Sequence, residues 1–293
     1  MHYTEPLYRS PYWPTLPLLE ITQGCTHNKC KFCNMYRDVQ FRMSPLEWVE
    51  EDLKEIAERW PKAQTLQILS ANPLALTYDR LAPRIELIRK YLPGLKVMYA
   101  QTRVSDIKNK TVNELESLRE MGLSEISLGT ESGDDWTLSR INKGYTSSDI
   151  LEQCAKLDEA GIAYWMSFLN GVAGKSHSIQ HAVNSAKIYS MCKPKVIGTG
   201  GLVLFDGTEL KEEAERGEFD PCTELELMTE LKTFIENLTI DFERFITHHT
   251  VSANLNCKNF QASKHEILEA LQYAIDNTDL DELARIRAAK KRL

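Results

Sequence analysis

Three cysteines fall within nine residues, Cys25, Cys30 and Cys33 in Gly24-Cys-Thr-His-Asn-Lys-Cys-Lys-Phe-Cys-Asn-Met-Tyr36. Thiols at this spacing are ligands for a soft metal ion or an iron–sulfur cluster. A structural zinc ion closes its tetrahedron with four protein ligands, and an electron-transfer [4Fe–4S] cluster takes four thiolates. Three thiolates on one loop leave one iron open to substrate or cofactor. A zinc knuckle completed by His27 or by a distant cysteine is the competing reading. The other four cysteines, Cys154, Cys192, Cys222 and Cys257, lie far apart and form no second C-x-x-C pair, so they read as small buried hydrophobes. An odd total of seven cysteines, with three of them clustered, points to a metal in a reducing compartment and away from a disulfide framework.

The elements that must position this loop can be read from the apolar pattern. Short apolar runs bounded by turn residues recur at Leu18–Thr22, Thr65–Ser70, Lys96–Gln101, Glu125–Thr130, Ala163–Leu169 and Lys195–Phe205, each of a length suited to a buried parallel strand. Helical patterns lie between them. One starts at Ser44-Pro-Leu-Glu47, with a capping serine, proline at the first helical position and glutamate three residues on, and runs to Trp60. Others cover Tyr78–Tyr91, Thr111–Met121, Ser147–Ala160 and Ser178–Met191. Six strands alternating with helices predict an α/β fold with a parallel sheet, a partial (β/α)6 TIM-type barrel, whose chemistry sits at the carboxyl ends of the strands. The cysteine loop follows the first strand and so lies at that end. After Phe205 the helical patterns Thr223–Leu238, Ser263–Asn277 and Leu280–Lys291 predict a mostly helical extension over 206–293, packed as a C-terminal helical cap on a barrel of residues 1–205.

Composition narrows the partners. The 293 residues are 42% hydrophobic and 26% charged, with a formal net charge of −7, enough apolar residue for a large core. Apart from Lys290-Lys-Arg292 there is no dense basic run, which argues against nucleic acid as a partner. No apolar run approaches the roughly 18 residues of a membrane span, and Met-His-Tyr-Thr-Glu5 carries no basic-then-apolar leader. A cytoplasmic protein with no membrane attachment is expected. Gly174-Lys-Ser176 imitates the end of a phosphate loop, but the G-x4-G-K-[ST] pattern needs glycine at position 169, where this chain has Leu169.

Together the cysteines, Phe32 before the third of them, Gly129-Thr-Glu-Ser-Gly-Asp-Asp135 and Ile141-Asn-Lys-Gly-Tyr-Thr146 resemble the radical S-adenosylmethionine (SAM) enzymes. The likeness is to the broad group of coproporphyrinogen oxidase-like, Elp3-like and methylthiotransferase-like proteins, and it runs from Tyr3 to about His265. Tyr3-Thr-Glu-Pro-Leu-Tyr-Arg9 and His248-His-Thr-Val-Ser-Ala-Asn254 resemble a subgroup with no assignable substrate. The usual cysteine spacing is C-x3-C-x2-C, whereas Thr26, His27, Asn28 and Lys29 make the first interval four residues here. Turn-tolerant Asn28 is expected to absorb the extra residue.

This resemblance implies a [4Fe–4S] cluster on Cys25, Cys30 and Cys33, with SAM on the open iron. It implies backbone carbonyls of Ser70, Ala71 and Asn72 for the SAM ammonium, with Asn72 held extended by Pro73, and Arg103 or Lys143 for its carboxylate. Glu131 takes the ribose hydroxyls, for which a carboxylate has the lone pairs, and small residues around Gly171 let backbone approach adenine. The implied activity is reductive cleavage of SAM to a 5′-deoxyadenosyl radical, with electrons from a flavodoxin or ferredoxin. The expected substrate is a small molecule, with tetrapyrrole or RNA modification as alternatives, and Tyr99, Tyr164, Trp165, His248, His249 and Asn254 are candidates to line its pocket. A non-catalytic zinc or fully ligated iron–sulfur protein remains the alternative to an enzyme.

Overall fold

The computed structural model describes residues 1–4, 7–9, 16–248 and 255–289. The chain forms two compact units, one of Met1–Asn28, Met35–Gly129 and Glu152–Tyr164 and the other of Lys29–Asn34, Thr130–Leu151 and Trp165–Leu293.

In the first unit the elements run β1 (Leu18–Leu19), β2 (Thr22–Gln23), β3 (Arg42–Met43), α1 (Leu46–Arg59), β4 (Thr65–Ile68), a 3-10 turn at Pro73–Ala75, α2 (Tyr78–Tyr91), β5 (Val97–Thr102), α3 (Val104–Ile107), α4 (Val112–Glu120) and β6 (Leu123–Glu131). The strands β1, β4, β5 and β6 pair in parallel in that order, with Leu18 opposite Gln67, Thr65 opposite Val97 and Ala100 opposite Ile126. Leu66, Gln67 and Ile68 are buried in succession, the signature of a parallel strand covered on both faces. Strands β2 and β3 form a separate antiparallel ribbon.

Helix α1 begins one residue later than its sequence predicts. Pro45 is its N-cap and Ser44 makes no side-chain cap. The Ser44 amide instead donates to the Ile21 carbonyl at 3.0 Å, and its carbonyl accepts from Arg84 at 2.7 Å, so the serine belongs to the ribbon. Helix α4 has the reciprocal capping box of Thr111 and Glu114. It ends at Gly122, φ 113°, where a Cβ would stand 1.9 Å from the Arg89 guanidinium.

The second unit carries α5 (Asp135–Arg140), the first turn of α6 (Ser147–Ala160), β7 (Ala163–Asn170), α7 (Ser178–Tyr189), β8 (Val196–Gly201), α8 (Glu209–Glu215), α9 (Glu224–Asn237), β9 (Arg244–His248), β10 (Cys257–Lys258), α10 (Phe260–Asn277) and α11 (Leu280–Ala288). Strands β7, β8 and β9 are parallel, and β10 returns antiparallel on β9. Helical patterns alone are legible beyond Phe205, and α8, β9 and β10 are additions the structure makes there. Phe245, Ile246 and Thr247 of β9 are buried, but two apolar residues within Arg244–His248 are too few to distinguish strand from helix by periodicity. Among the described residues no helix is long and apolar enough to cross a membrane.

Candidate active site

The Cys25 end of the cysteine loop belongs to the first unit and is fastened to the carboxyl end of β4. Gly24 leads into it at φ 74°, where a Cβ would lie 2.8 Å from the Val39 carbonyl oxygen, so only glycine fits. The Ser70 hydroxyl donates to the Gly24 carbonyl at 2.9 Å. The Thr26 amide donates to Asn72 Oδ1 at 3.2 Å, and Asn72 Nδ2 donates back to the Thr26 hydroxyl. Asn72 also donates to Asp106 at 3.3 Å, and Asp106 accepts from the Thr102 hydroxyl at 3.0 Å and the Arg103 amide at 2.9 Å. One chain of bonds thus joins the ends of β4 and β5 to the loop. Burial pushes the Asp106 carboxyl up, partly offset by its donors Arg103, Thr102 and Asn72.

Ser70 and Asn28 take the left-handed conformation, φ 84° and 46°, which side chains adopt at a cost. Asn28 is the residue expected to absorb the longer interval between the first two cysteines. It is held there by its side-chain amide on the Tyr36 carbonyl at 2.6 Å and by Arg37 on its own carbonyl at 3.2 Å. Its amide donates to Cys25 Sγ at 3.4 Å, the kind of bond that tunes a cluster thiolate.

Lys110, which sequence reading passes over, holds the segment after β4. It is 2% exposed and donates to the carbonyls of Leu74 and Leu76, the latter at 2.8 Å, and to Asn109. Burial pushes its ammonium down to about 8. Lys110→Met strands both carbonyls in a buried setting and is expected to cost about 2–4 kcal/mol in urea unfolding. The unfolded chain holds the Lys110 proton up to its ordinary pKa near 10.5, whereas the folded chain releases it near 8. Stability therefore rises with pH across that window. The wild-type advantage over Lys110→Met is expected to grow from pH 8 to 10, and an advantage that shrinks there refutes this account.

Cys30 and Cys33 lie in the second unit. The Cys33 amide closes a turn on the Cys30 carbonyl at 3.2 Å. Asn142, also left-handed at φ 55°, donates from its side chain to the Lys29 carbonyl at 3.1 Å, and the Lys31 amide donates to the Ile141 carbonyl at 3.1 Å. The two motifs singled out in the sequence, the cysteine loop and Ile141-Asn-Lys-Gly144, are thus joined by backbone. Lys143 is 4% exposed, with its ammonium 5.7 Å from the Phe32 ring centroid, 5.5 Å from that of Tyr145 and 3.7 Å from Glu131 Oε1. Glu131 itself ends β6 at φ 62°, its amide on the Ser167 hydroxyl at 3.3 Å. A left-handed glutamate ion-paired to a lysine sandwiched by aromatics is a built feature, because each part costs stability alone.

The remaining candidates are placed as follows. Gly171, φ 85°, has Leu227 where a Cβ would stand and gives its amide to Glu230 Oε2 at 2.6 Å. Glu230 also meets His181 Nδ1 at 2.6 Å, both side chains fully buried. Burial pushes the Glu230 carboxyl up, offset in part by His181. Arg103 is buried as N-cap of α3, with Nε 3.3 Å from the Ser105 hydroxyl. Tyr99, Tyr164 and Trp165 are core residues. His248 ends β9 opposite Gly200, while His249 and Asn254 lie outside the described residues. Asp106, Thr26 and Glu230 were not legible as site residues. The only signal was Asp106 three residues after Arg103, the spacing of a helix-capping acid.

The donor chemistry fits an iron–sulfur cluster. None of the seven cysteines is in a disulfide. Cys154 and Cys192 are buried, and burial pushes the Cys222 thiol up to about 12 and that of Cys257 upward, which disfavours the thiolate a metal needs. Among the described residues no three His, Cys, Asp or Glu side chains converge on the position of a single ion. A cluster binds each thiolate on a different iron and requires no such convergence.

A family model for the radical SAM superfamily matches residues 19–187. The chain belongs to the radical SAM superfamily. It is therefore an enzyme by family, and its cofactors are a [4Fe–4S] cluster and SAM. An uncharacterized protein of Methanocaldococcus jannaschii is 25% identical to this radical SAM chain over 233 residues, 75% of this chain and 71% of its own length. The tRNA-2-methylthio-N(6)-dimethylallyladenosine synthase of Bdellovibrio bacteriovorus is 25% identical over 162 residues, covering 54% of this chain but 35% of that protein, so this chain spans about a third of that relative. Coproporphyrinogen III oxidase of Escherichia coli, a radical SAM enzyme, superposes with a TM-score of 0.56 at 15% identity over 76% of this chain and 52% of that one. The shared fold is the α/β architecture of the TIM-type barrels, with mostly parallel strands and surrounding helices.

Proposed function

We propose that Cys25, Cys30 and Cys33 hold the [4Fe–4S] cluster and that the chain reductively cleaves SAM to act on a small-molecule substrate. When bound, cluster and SAM supply a one-electron cleavage that yields methionine and a 5′-deoxyadenosyl radical able to take hydrogen from substrate. The observation that carries this reading is the fastening of the Cys25 loop to the carboxyl end of β4 through Ser70 and Asn72, because that end of a parallel sheet is where such folds place their chemistry. Ser70, Ala71 and Asn72 offer backbone carbonyls to the SAM ammonium, and the side-chain bonds of Ser70 and Asn72 keep that turn rigid.

Glu131 offers its carboxylate to the ribose hydroxyls. Lys143 lies 3.7 Å from it and orients it, and Arg103 or Lys143 offers the cation for the SAM carboxylate. Gly171 gives a close-packed turn near the adenine. His248 and His249 are proposed substrate contacts. A flavodoxin or ferredoxin supplies the electron, and the chain works in the reducing cytoplasm that a three-thiolate cluster requires. The net charge of −7 supports a small-molecule substrate. A tRNA substrate is the second reading, favoured by the similarity to a tRNA-modifying synthase, and binding of bulk tRNA with a steep salt dependence would select it.

Anaerobically reconstituted protein given dithionite and SAM is expected to form 5′-deoxyadenosine slowly without substrate, detected by liquid chromatography. A fully loaded, reducible sample that forms none, or a colourless protein holding one zinc ion, refutes the enzyme reading.

A further inference from the structure

Lys31, between Cys30 and Cys33, is gripped on every side by residues of the second unit. Its amide donates to Ile141 and its carbonyl accepts from the Leu210 amide at 2.9 Å. Its ammonium lies 2.6 Å from Glu213 Oε1 and 2.8 Å from Glu209 Oε1. Glu213 is 5% exposed, and its other oxygen lies 2.5 Å from Arg140. Next door, Phe32 packs on the buried cluster of Ile141, Val172, Leu202, Leu210 and Phe219. Leu210, Glu209 and Glu213 all sit on α8, beyond the 19–187 stretch that the superfamily model matches. Helix α8 is thus a part of this chain, beyond the stretch the superfamily model matches, that reaches back to the cysteine loop.

We propose that Glu213 is a positioning residue for the cluster: through Lys31 it holds the Cys30–Cys33 turn in its ligating shape and balances the lysine charge beside the cluster. Nearly buried carboxylates are retained where they have paired cations, and Glu213 has two. Two consequences follow. Loss of the grip loosens the turn, so the irons leave faster. Loss of a negative charge beside the cluster favours the reduced state, because net charge around a cluster sets its potential. The inference rests on the three-cysteine cluster proposed above.

The test compares reconstituted wild type with Glu213→Gln, Lys31→Met and the double variant, reading iron and sulfide content, iron release to a chelator and the reduction potential measured without SAM. Glu213→Gln is expected to release iron roughly tenfold faster, the factor for losing one charge-assisted bond, and to move the potential positive. Lys31→Met is expected to move it negative, and the double variant to return near the wild-type potential while still releasing iron fast. Should Glu213→Gln not fold, Glu209→Gln removes one Lys31 contact and leaves Arg140 paired, with a smaller positive shift expected. Shifts of the same sign in both single variants, or wild-type release and potential throughout, overturn the clamp while leaving the cluster in place. A wild-type protein that takes up no iron and sulfide overturns the cluster itself.

Discussion

Alanine at Cys25, Cys30 or Cys33 is expected to abolish the cluster, whereas alanine at Cys154, Cys192, Cys222 or Cys257 leaves iron and sulfide at the wild-type level. The asymmetry has a physical basis on each side. The loop thiols are tied into structures that present them: the Asn28 amide points at Cys25 Sγ, and Cys30 and Cys33 share one turn. Cys154 and Cys192 are core side chains, and burial holds the Cys222 and Cys257 thiols protonated. Truncating a buried core cysteine costs some stability, but removes no ligand. Iron and sulfide analysis of the seven variants, with visible absorption, decides the matter. Full cluster content in Cys30→Ala, or its loss in Cys257→Ala, contradicts the ligand assignment.

The second large effect is expected at Glu131, and it separates holding SAM from holding iron. Its carboxylate is 20% exposed and 3.7 Å from Lys143, so it is oriented and open to a ligand. Glu131→Ala is expected to keep the iron content and visible spectrum, since it ends β6 and is not part of the cysteine loop. Losing charge-assisted hydrogen bonds to the ribose should cost about 1.5–3 kcal/mol, roughly tenfold to a hundredfold in SAM affinity. Glu131→Gln, which keeps one acceptor oxygen and the side-chain shape, should fall between. Anaerobic calorimetric titration with SAM measures each. Unchanged affinity in Glu131→Ala makes it a structural partner of Lys143 and moves the ribose elsewhere.

Local pattern carried the sequence a long way. The six apolar runs correspond to observed strands, with β1 and β2 dividing the first of them, because buried parallel strands need nearly continuous apolar side chains and their flanking turns need glycine or polar residues. The spacing of Cys25, Cys30 and Cys33 marked the loop proposed to hold the cluster, since that chemistry depends on residue type over nine positions, and Asn28, expected to absorb the longer interval, takes the left-handed backbone. The tertiary structure decided everything that joins residues remote in sequence. Lys143 is a charge in the sequence, but only the fold brings Glu131, Phe32 and Tyr145 around it. Ser70 and Asn72 were legible as a strand end, yet their side-chain grip on Gly24 and Thr26 needs β1 beside β4. Glu213 gave no signal at all, being one glutamate among several on an amphipathic helix. Its role arises because burial between Lys31 and Arg140 makes an ordinary carboxylate costly to remove, and pairing across 182 residues of chain leaves no local trace.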